Sequence, residues 1–256
     1  MKFIAFDIET QGIRDAALAL AEPFKPFEPL PPFDPKAVKV GNLKDPDKIA
    51  AKRHAEEEAY PQRVKEHEDA YEKARTEYAA KVVSKAALNA LTGRVVAIGI
   101  KTADEEKILS GDEAGILRGF WELFGTVACP FVGWNIGGFD IPFMVRRSWV
   151  NGVVVPNIFN GRYLDKRFID LMEVFGCGEY GYKAKLGDVA DFFGVPGKFE
   201  GDCTGADFAE KFLSGDPAEK KQAEEYLRCD LRATWAIAEK LLSPTEKKEE
   251  GDNEFC

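Results

Sequence analysis

Phe3-Ile4-Ala5-Phe6-Asp7-Ile8-Glu9-Thr10, residues 3–10, is an apolar run that closes on two acids. Residues 2–8 are rich in β-branched and aromatic side chains, the composition of a buried strand. Alternation along a strand puts positions i and i+2 on one face, roughly 6.5 Å apart, so Asp7 and Glu9 project together from its end. Two carboxylates on one face repel each other unless a cation lies between them. The ordinary alternative is a strand terminus open to solvent, but a run this apolar argues for burial.

Working outward, the next convincing strand is residues 94–100. Between the two lies a segment, 13–92, of different character. Its first part, 22–35, carries Pro23, Pro26, Pro29, Pro31, Pro32 and Pro35 among phenylalanines. Such a run cannot be a helix or a central strand and is expected to lie extended across a surface. Its second part, 46–91, is rich in Ala, Glu and Lys and predicts two helices broken at Pro61. Residues 61–83 mix charges with few large apolar side chains, which predicts an exposed helix or a narrow seam for a partner or a second helix.

Downstream, 107–109 reads as a hairpin partner strand and 112–127 as an amphipathic helix. Residues 131–134 read as a strand, 140–150 as a helix, 167–171 as a short strand, and 185–193, 206–213 and 217–242 as helices. The last helix has a start signal: Asp216 to cap, Pro217 in the first turn, Glu219 at the capping-box position. Strands followed by helices predict an α/β layer fold with a mixed sheet. One domain is expected over residues 1–242, interrupted by the insertion 13–92 and followed by a polar tail, 243–256.

The chain has 256 residues, 45% of them hydrophobic, with 19 Phe and 4 Trp, enough for a substantial core. A net charge of −9 argues against a protein that binds nucleic acid by backbone neutralisation alone, since such binders are normally basic. Phosphate chemistry on so acidic a chain needs bound cations or a local basic strip. The five cysteines are scattered without metal-ligand spacing, and the odd count fits a reducing cytosol. With no signal-type apolar segment and no run near the roughly 20 residues that span a bilayer, the expectation is a cytoplasmic protein without a membrane contact.

Two further acidic elements follow. In Trp134-Asn135-Ile136-Gly137-Gly138-Phe139-Asp140, the aspartate stands where a helix begins and would serve equally as its N-cap, the glycines as an ordinary turn. On the last helix, Tyr226 and Asp230 share a face at i, i+4 spacing. Apolar Leu227, Leu231, Trp235 and Ala238 pack that helix inward, and a buried tyrosine bonded to a carboxylate is the plain reading. Jointly, four acids on a first strand, a mid-chain helix start and a last helix can converge on two hard divalent cations, Mg²⁺ or Mn²⁺, which prefer oxygen ligands. Two such ions about 4 Å apart stabilise the attacking and leaving oxygens of an in-line phosphoryl displacement.

Asp7-Ile8-Glu9-Thr10, Asn135 with Phe139-Asp140, and Tyr226 with Asp230 together resemble the three exonuclease motifs of the DEDD, or DnaQ-like, superfamily. The tyrosine before the last aspartate resembles the DEDDy subgroup, and more narrowly the stand-alone exonucleases related to the proofreading domain of family B DNA polymerases. The resemblance covers residues 1–12 and 92–242; the insertion after the first motif departs from the minimal pattern. It implies a ribonuclease-H-like mixed sheet flanked by helices and 3'-5' exonuclease activity on single-stranded 3' ends, DNA favoured over RNA. By position, Asp7, Glu9 and Asp230 would ligate one cation, with Asp7 bridging to a second that Asp140 reaches through water. Tyr226 would orient the attacking water. The sister subgroup uses a histidine base, but the only histidines, His54 and His67, lie inside the insertion. Thr10 and Gln11 are expected to hydrogen-bond the terminal sugar, and Trp134 or Phe139 to stack on a base, with Asn135 beside them in the second motif. Lys183 and Lys185, near Tyr180 and Tyr182, form a small basic-aromatic patch, and Asp170 and Asp188 read as structural.

Two other classes compete. One is a nucleic-acid or replication-complex interaction module with weak or no catalysis, for which the insertion 13–92 would be the partner surface. The other is a metal-dependent hydrolase of nucleotides or small phosphoesters using the same acids.

Overall fold

A computed structural model describes residues 2–160, 163–197 and 199–242. The expected polar tail, 243–256, lies outside them. The strands are β1 (Ile4–Gly12), β2 (Gly93–Lys101), β3 (Glu106–Ser110), β4 (Phe131–Gly133), the short ladder of β5 (Phe159–Asn160) with β6 (Tyr163–Leu164), and β7 (Phe168–Asp170). The helices are α1 (Arg14–Leu20), α2 (Pro46–Ala86), α3 (Glu113–Thr126), α4 (Asp140–Val150), α5 (Leu171–Phe175), α6 (Leu186–Phe193), α7 (Phe208–Leu213) and α8 (Pro217–Leu242).

Five strands make one sheet in the order β3-β2-β1-β4-β7. The β1–β2 and β2–β3 pairs are antiparallel, whereas β1–β4 and β4–β7 are parallel. The sheet is therefore mixed, and helices cover both faces, an architecture consistent with the ribonuclease-H-like fold.

Central β1 has no solvent face. Ile4, Phe6 and Ile8 pack with α3 and α4 in an aromatic core where Phe124 stacks on Phe168 at 4.6 Å. Phe3 and Ala5 point the other way, toward α5, α6 and α8, and Phe3 meets Trp235 at 4.3 Å. Alternation then carries Asp7 and Glu9 onto the α8 side, past the end of the apolar run. The β1–β2 register slips between Glu9 and Thr10, with Val96 as the extra residue. A bulge re-aims side chains where it falls. Here Val96 and Ala97 both pack toward Phe208 and Leu227 beneath α7 and α8.

In the insertion the structure corrects one expectation and completes another. Pro61 does not break the helix: α2 runs unbroken for 41 residues. A proline lacks one N–H, and at an exposed position the carbonyl left over turns to water, which a long exposed helix accommodates. The proline-rich segment is extended, as its composition requires. It runs back along α2, setting Phe24 on Tyr71 and Tyr78, Phe27 on His67 and Tyr71, and Phe33 on Tyr60. Tyr60 donates its hydroxyl to the Pro31 carbonyl at 2.6 Å, and Tyr78 donates to that of Glu22. The chain itself thus lies along the narrow seam expected on this helix.

The C-terminal root of α2 is clamped to the body. A Cβ on Gly12 would meet that of Ala86 at 2.8 Å, so only glycine permits this approach. Thr10 donates its hydroxyl to Ala87 O (2.7 Å) and Thr92 to Ala86 O (3.0 Å). Just beyond, Arg147 forks onto Glu113 (2.9 and 2.7 Å) and donates to Ala90 O (3.2 Å), while Glu113 accepts from Val95 N (2.8 Å). One further expectation fails at α8. Asp216 does cap, accepting from Ala218 N at 2.8 Å, but its own N–H goes to Ser214 Oγ (3.1 Å), where a capping box would need Glu219.

Candidate active site

Asp7 and Glu9 leave β1 on the face that α8 crosses, and α8 presents Asp230 to them. Carboxylate oxygens of Asp7, Glu9 and Asp230 all lie within 4.8 Å of one another. Glu9 is buried and the other two are half-buried. Asp140 arrives from the opposite side. It is the first helical residue of α4, and its Oδ1 accepts from the Ile8 N–H, between the two acids of β1, at 3.2 Å.

Such an arrangement is electrostatically unfavourable by itself. Burial pushes the carboxyls of Asp7 and Glu9 well above the ordinary range, and the other acids push them further. Burial also raises Asp140 to about 7, against the opposing bond from Ile8, and Asp230 to about 6, against a hydrogen bond from Tyr226. Four acids held in common favour a proton or a cation over four free charges. The Tyr226 hydroxyl is driven upward too, by burial and then by Asp230, Glu9 and Asp7, so at neutral pH it remains a protonated hydroxyl. Rings of Phe199 (6.1 Å) and Phe208 (6.3 Å) hold it in place.

Beside Glu9 opens a groove of about 580 Å³, between the end of β1, the end of α2 and the start of α7. Thr10, Gln11 and Phe139 reach it. Their polar groups are partly engaged: Thr10 holds Ala87 O, and the Gln11 carbonyl accepts from Arg94 (2.9 and 2.6 Å). Trp134 is not brought there. Its indole N–H donates to Ala184 O (2.9 Å) and its ring faces Phe175 on the α5–α6 side. Asn135 also stands apart from the groove; its side-chain carbonyl accepts from Lys183 at 3.3 Å.

Two contributors were illegible in the sequence. Asp170 is structural, as expected, but serves the site directly. Buried, it accepts from Asn135 N (2.9 Å), Gly137 N (2.9 Å) and Met172 N (3.0 Å), tying down the turn that presents Phe139 and Asp140. Asn135 there adopts φ 58°, the left-handed region that asparagine tolerates. The only sequence signal was an aspartate just before a short apolar helix. The second contributor is the root of α2, whose place beside Glu9 no local pattern announces.

A mixed α/β sheet that gathers acids from its central strand and its last helix is the class of protein this fold and site define. The chain belongs to the family of predicted 3'-5' exonucleases related to the exonuclease domain of PolB, matched over residues 76–243. That stretch includes Asp140, Tyr226 and Asp230 and begins after Asp7 and Glu9. An uncharacterised protein of Methanocaldococcus jannaschii is 30% identical over 165 residues, 60% of this chain and 89% of that protein. Among solved structures, the family B DNA polymerase of the hyperthermophilic archaeon Pyrobaculum calidifontis matches with a TM-score of 0.53 and 21% identity over 94% of this chain. The chain spans 24% of that polymerase, and at such identity the likeness concerns the fold. Among the described residues no helix is long and apolar enough to cross a membrane.

Proposed function

We propose that this protein is a metal-dependent 3'-5' exonuclease of the DEDDy type that shortens single-stranded 3' ends, DNA in preference to RNA. The observation that carries the reading is the convergence of Asp7 and Glu9 with Asp230, more than two hundred residues away, at oxygen distances within 4.8 Å. The family supports the same reaction class.

The donor set fits hard divalent cations: every candidate ligand is a carboxylate oxygen, and burial with mutual repulsion makes each acid gain from a cation. Asp7, Glu9 and Asp230 would hold one ion and Asp140 would serve a second; bound Mg²⁺ or Mn²⁺ there supplies charge stabilisation to the attacking and leaving oxygens of the phosphodiester. In the metal-free site, burial and the neighbouring acids hold the Tyr226 hydroxyl in its protonated form. Its role is to orient the attacking water by hydrogen bonding while leaning on Asp230. Phe139, at the groove, offers a ring to the terminal base, and Thr10 and Gln11 line the path of its sugar.

The test is a 5'-labelled single-stranded oligonucleotide incubated with Mg²⁺ or Mn²⁺. Wild type should yield a 3'-shortening ladder that Asp7→Ala abolishes. Release of a terminal phosphate or nucleotide label without a ladder would instead mark a small-phosphoester hydrolase, and binding without cleavage in either metal an interaction module.

A further inference from the structure

The groove beside Glu9 has one wall that the sheet and α8 do not supply. It comes from the end of the insertion: Val83, Ser84, Ala87 and Leu88 face Phe139 and the start of α7 across it. Leu88 is 68% exposed and offers an apolar side chain to the groove. The wall is also fixed. Its anchors are the Thr10–Ala87 and Thr92–Ala86 hydrogen bonds and the close approach of Gly12 and Gly93 to Ala86. Whatever occupies the groove must fit between rigid faces.

We propose that the root of α2 is a specificity element that seats the terminal nucleoside of a single strand against Phe139 and turns away paired ends. The occupant follows from continuity and shape. Glu9 belongs both to the acid cluster and to the groove, so a chain end whose terminal phosphodiester sits on the acids has its last nucleoside in the groove. A volume of about 580 Å³ is of the size that takes a small molecule, commonly about 300–1,000 Å³. Apolar Val83 and Leu88 with the Phe139 ring suit the two faces of an unstacked base, a sequence-tolerant contact. A base still paired carries its partner along, and the clamped wall leaves no room to widen. The inference rests on the exonuclease reading and adds to it a role for the insertion.

Ser84 is exposed and sits on the wall, so Ser84→Trp fills the groove without touching the core. Leu88→Asp makes the wall polar and serves as a second variant. Each should raise KM for a single-stranded oligonucleotide about tenfold while kcat in saturating substrate stays within about twofold. An oligonucleotide ending in 2-aminopurine should show a smaller fluorescence change on binding either variant in Ca²⁺. Leu88→Ala, which opens the mouth, should narrow the gap in rate between single-stranded and blunt duplex substrates. Wild-type KM in both Ser84→Trp and Leu88→Asp, on a wild type that cuts, would overturn the wall's role and leave the exonuclease reading intact. Absence of cutting by wild type in either metal would overturn the exonuclease reading itself, and this inference with it.

Discussion

The sheet body and the insertion arm are built on opposite principles. In the body, Phe6, Phe120, Phe124, Phe131 and Phe168 interlock with almost no exposure, and the central strand is covered on both sides. In the arm, a helix of 41 residues, about 60 Å long at the α-helical rise, buries Ala86 alone. Its support is a row of ring contacts with the extended proline-rich segment, closed by tyrosine hydroxyls on carbonyls. Burial of large side chains fixes a unique geometry, which a site of converging acids requires. A strapped helix holds a direction, which suffices for an element that touches the groove only at its root.

The comparison can be broken most forcefully in the body. Phe124→Ala removes a fully buried ring stacked on Phe168 and should cost about 3–5 kcal/mol in urea denaturation. A loss below 1 kcal/mol would show that the aromatic core is not what holds the sheet.

The acids of the same body should make the metal-free protein sensitive to pH. Asp140 and Asp230 have folded values, about 7 and about 6, above the ordinary 3.8, so the folded state binds protons more tightly than the unfolded chain. The stability this brings is present below about pH 4 and is lost as pH rises through the folded values, so the metal-free melting temperature should fall between about pH 4 and 7. Mn²⁺ at pH 7 should restore it. Asp140→Asn, which keeps the oxygen facing Ile8 N, should flatten the decline; an unchanged slope would remove Asp140 from the coupled set.

Tyr226→Phe should leave metal-dependent stabilisation in place and lower kcat about 10²-fold, the scale of a lost positioning or proton-transfer group. An unaltered rate would dismiss the water-orienting role. The smallest effect is expected in the arm. Phe24→Ala with Phe27→Ala should cost the global transition less than about 1 kcal/mol, with faster amide exchange confined to residues 22–80. If that pair destabilised the whole molecule as much as Phe124→Ala, the division between body and arm would fail.

Much of this arrangement was legible beforehand, and unevenly. The body's elements followed from periodicity: α3, α4 and α8 fall where amphipathic spacing and capping signals put them, whereas β1, expected over 2–8 with the acids at its end, runs on past them to Gly12 because β2 continues to pair with it. In the arm, the proline-rich run was readable as extended because its backbone has few choices. The helix beyond it was misread at Pro61, since a proline's cost depends on whether the orphaned carbonyl finds water, a property of exposure and not of sequence. The acids were readable as types and spacings. Trp134 and Phe139, equivalent in the motif, were separated only by packing: one indole bonds to Ala184 and leaves the groove to the other ring.

The sequence by itself determined which residues could meet: an apolar run that closes on Asp7 and Glu9, and a helix whose buried face carries Tyr226 and Asp230. Local patterns suffice for that, because they act through neighbours along the chain. Tertiary structure alone decided that these acids come within 4.8 Å, that Asp170 braces the turn before Asp140, and that the root of α2 walls the groove. Those outcomes depend on sheet order, on the bulge at Glu9 and Thr10 and on the close approach at Gly12, all of them contacts between residues far apart in the chain.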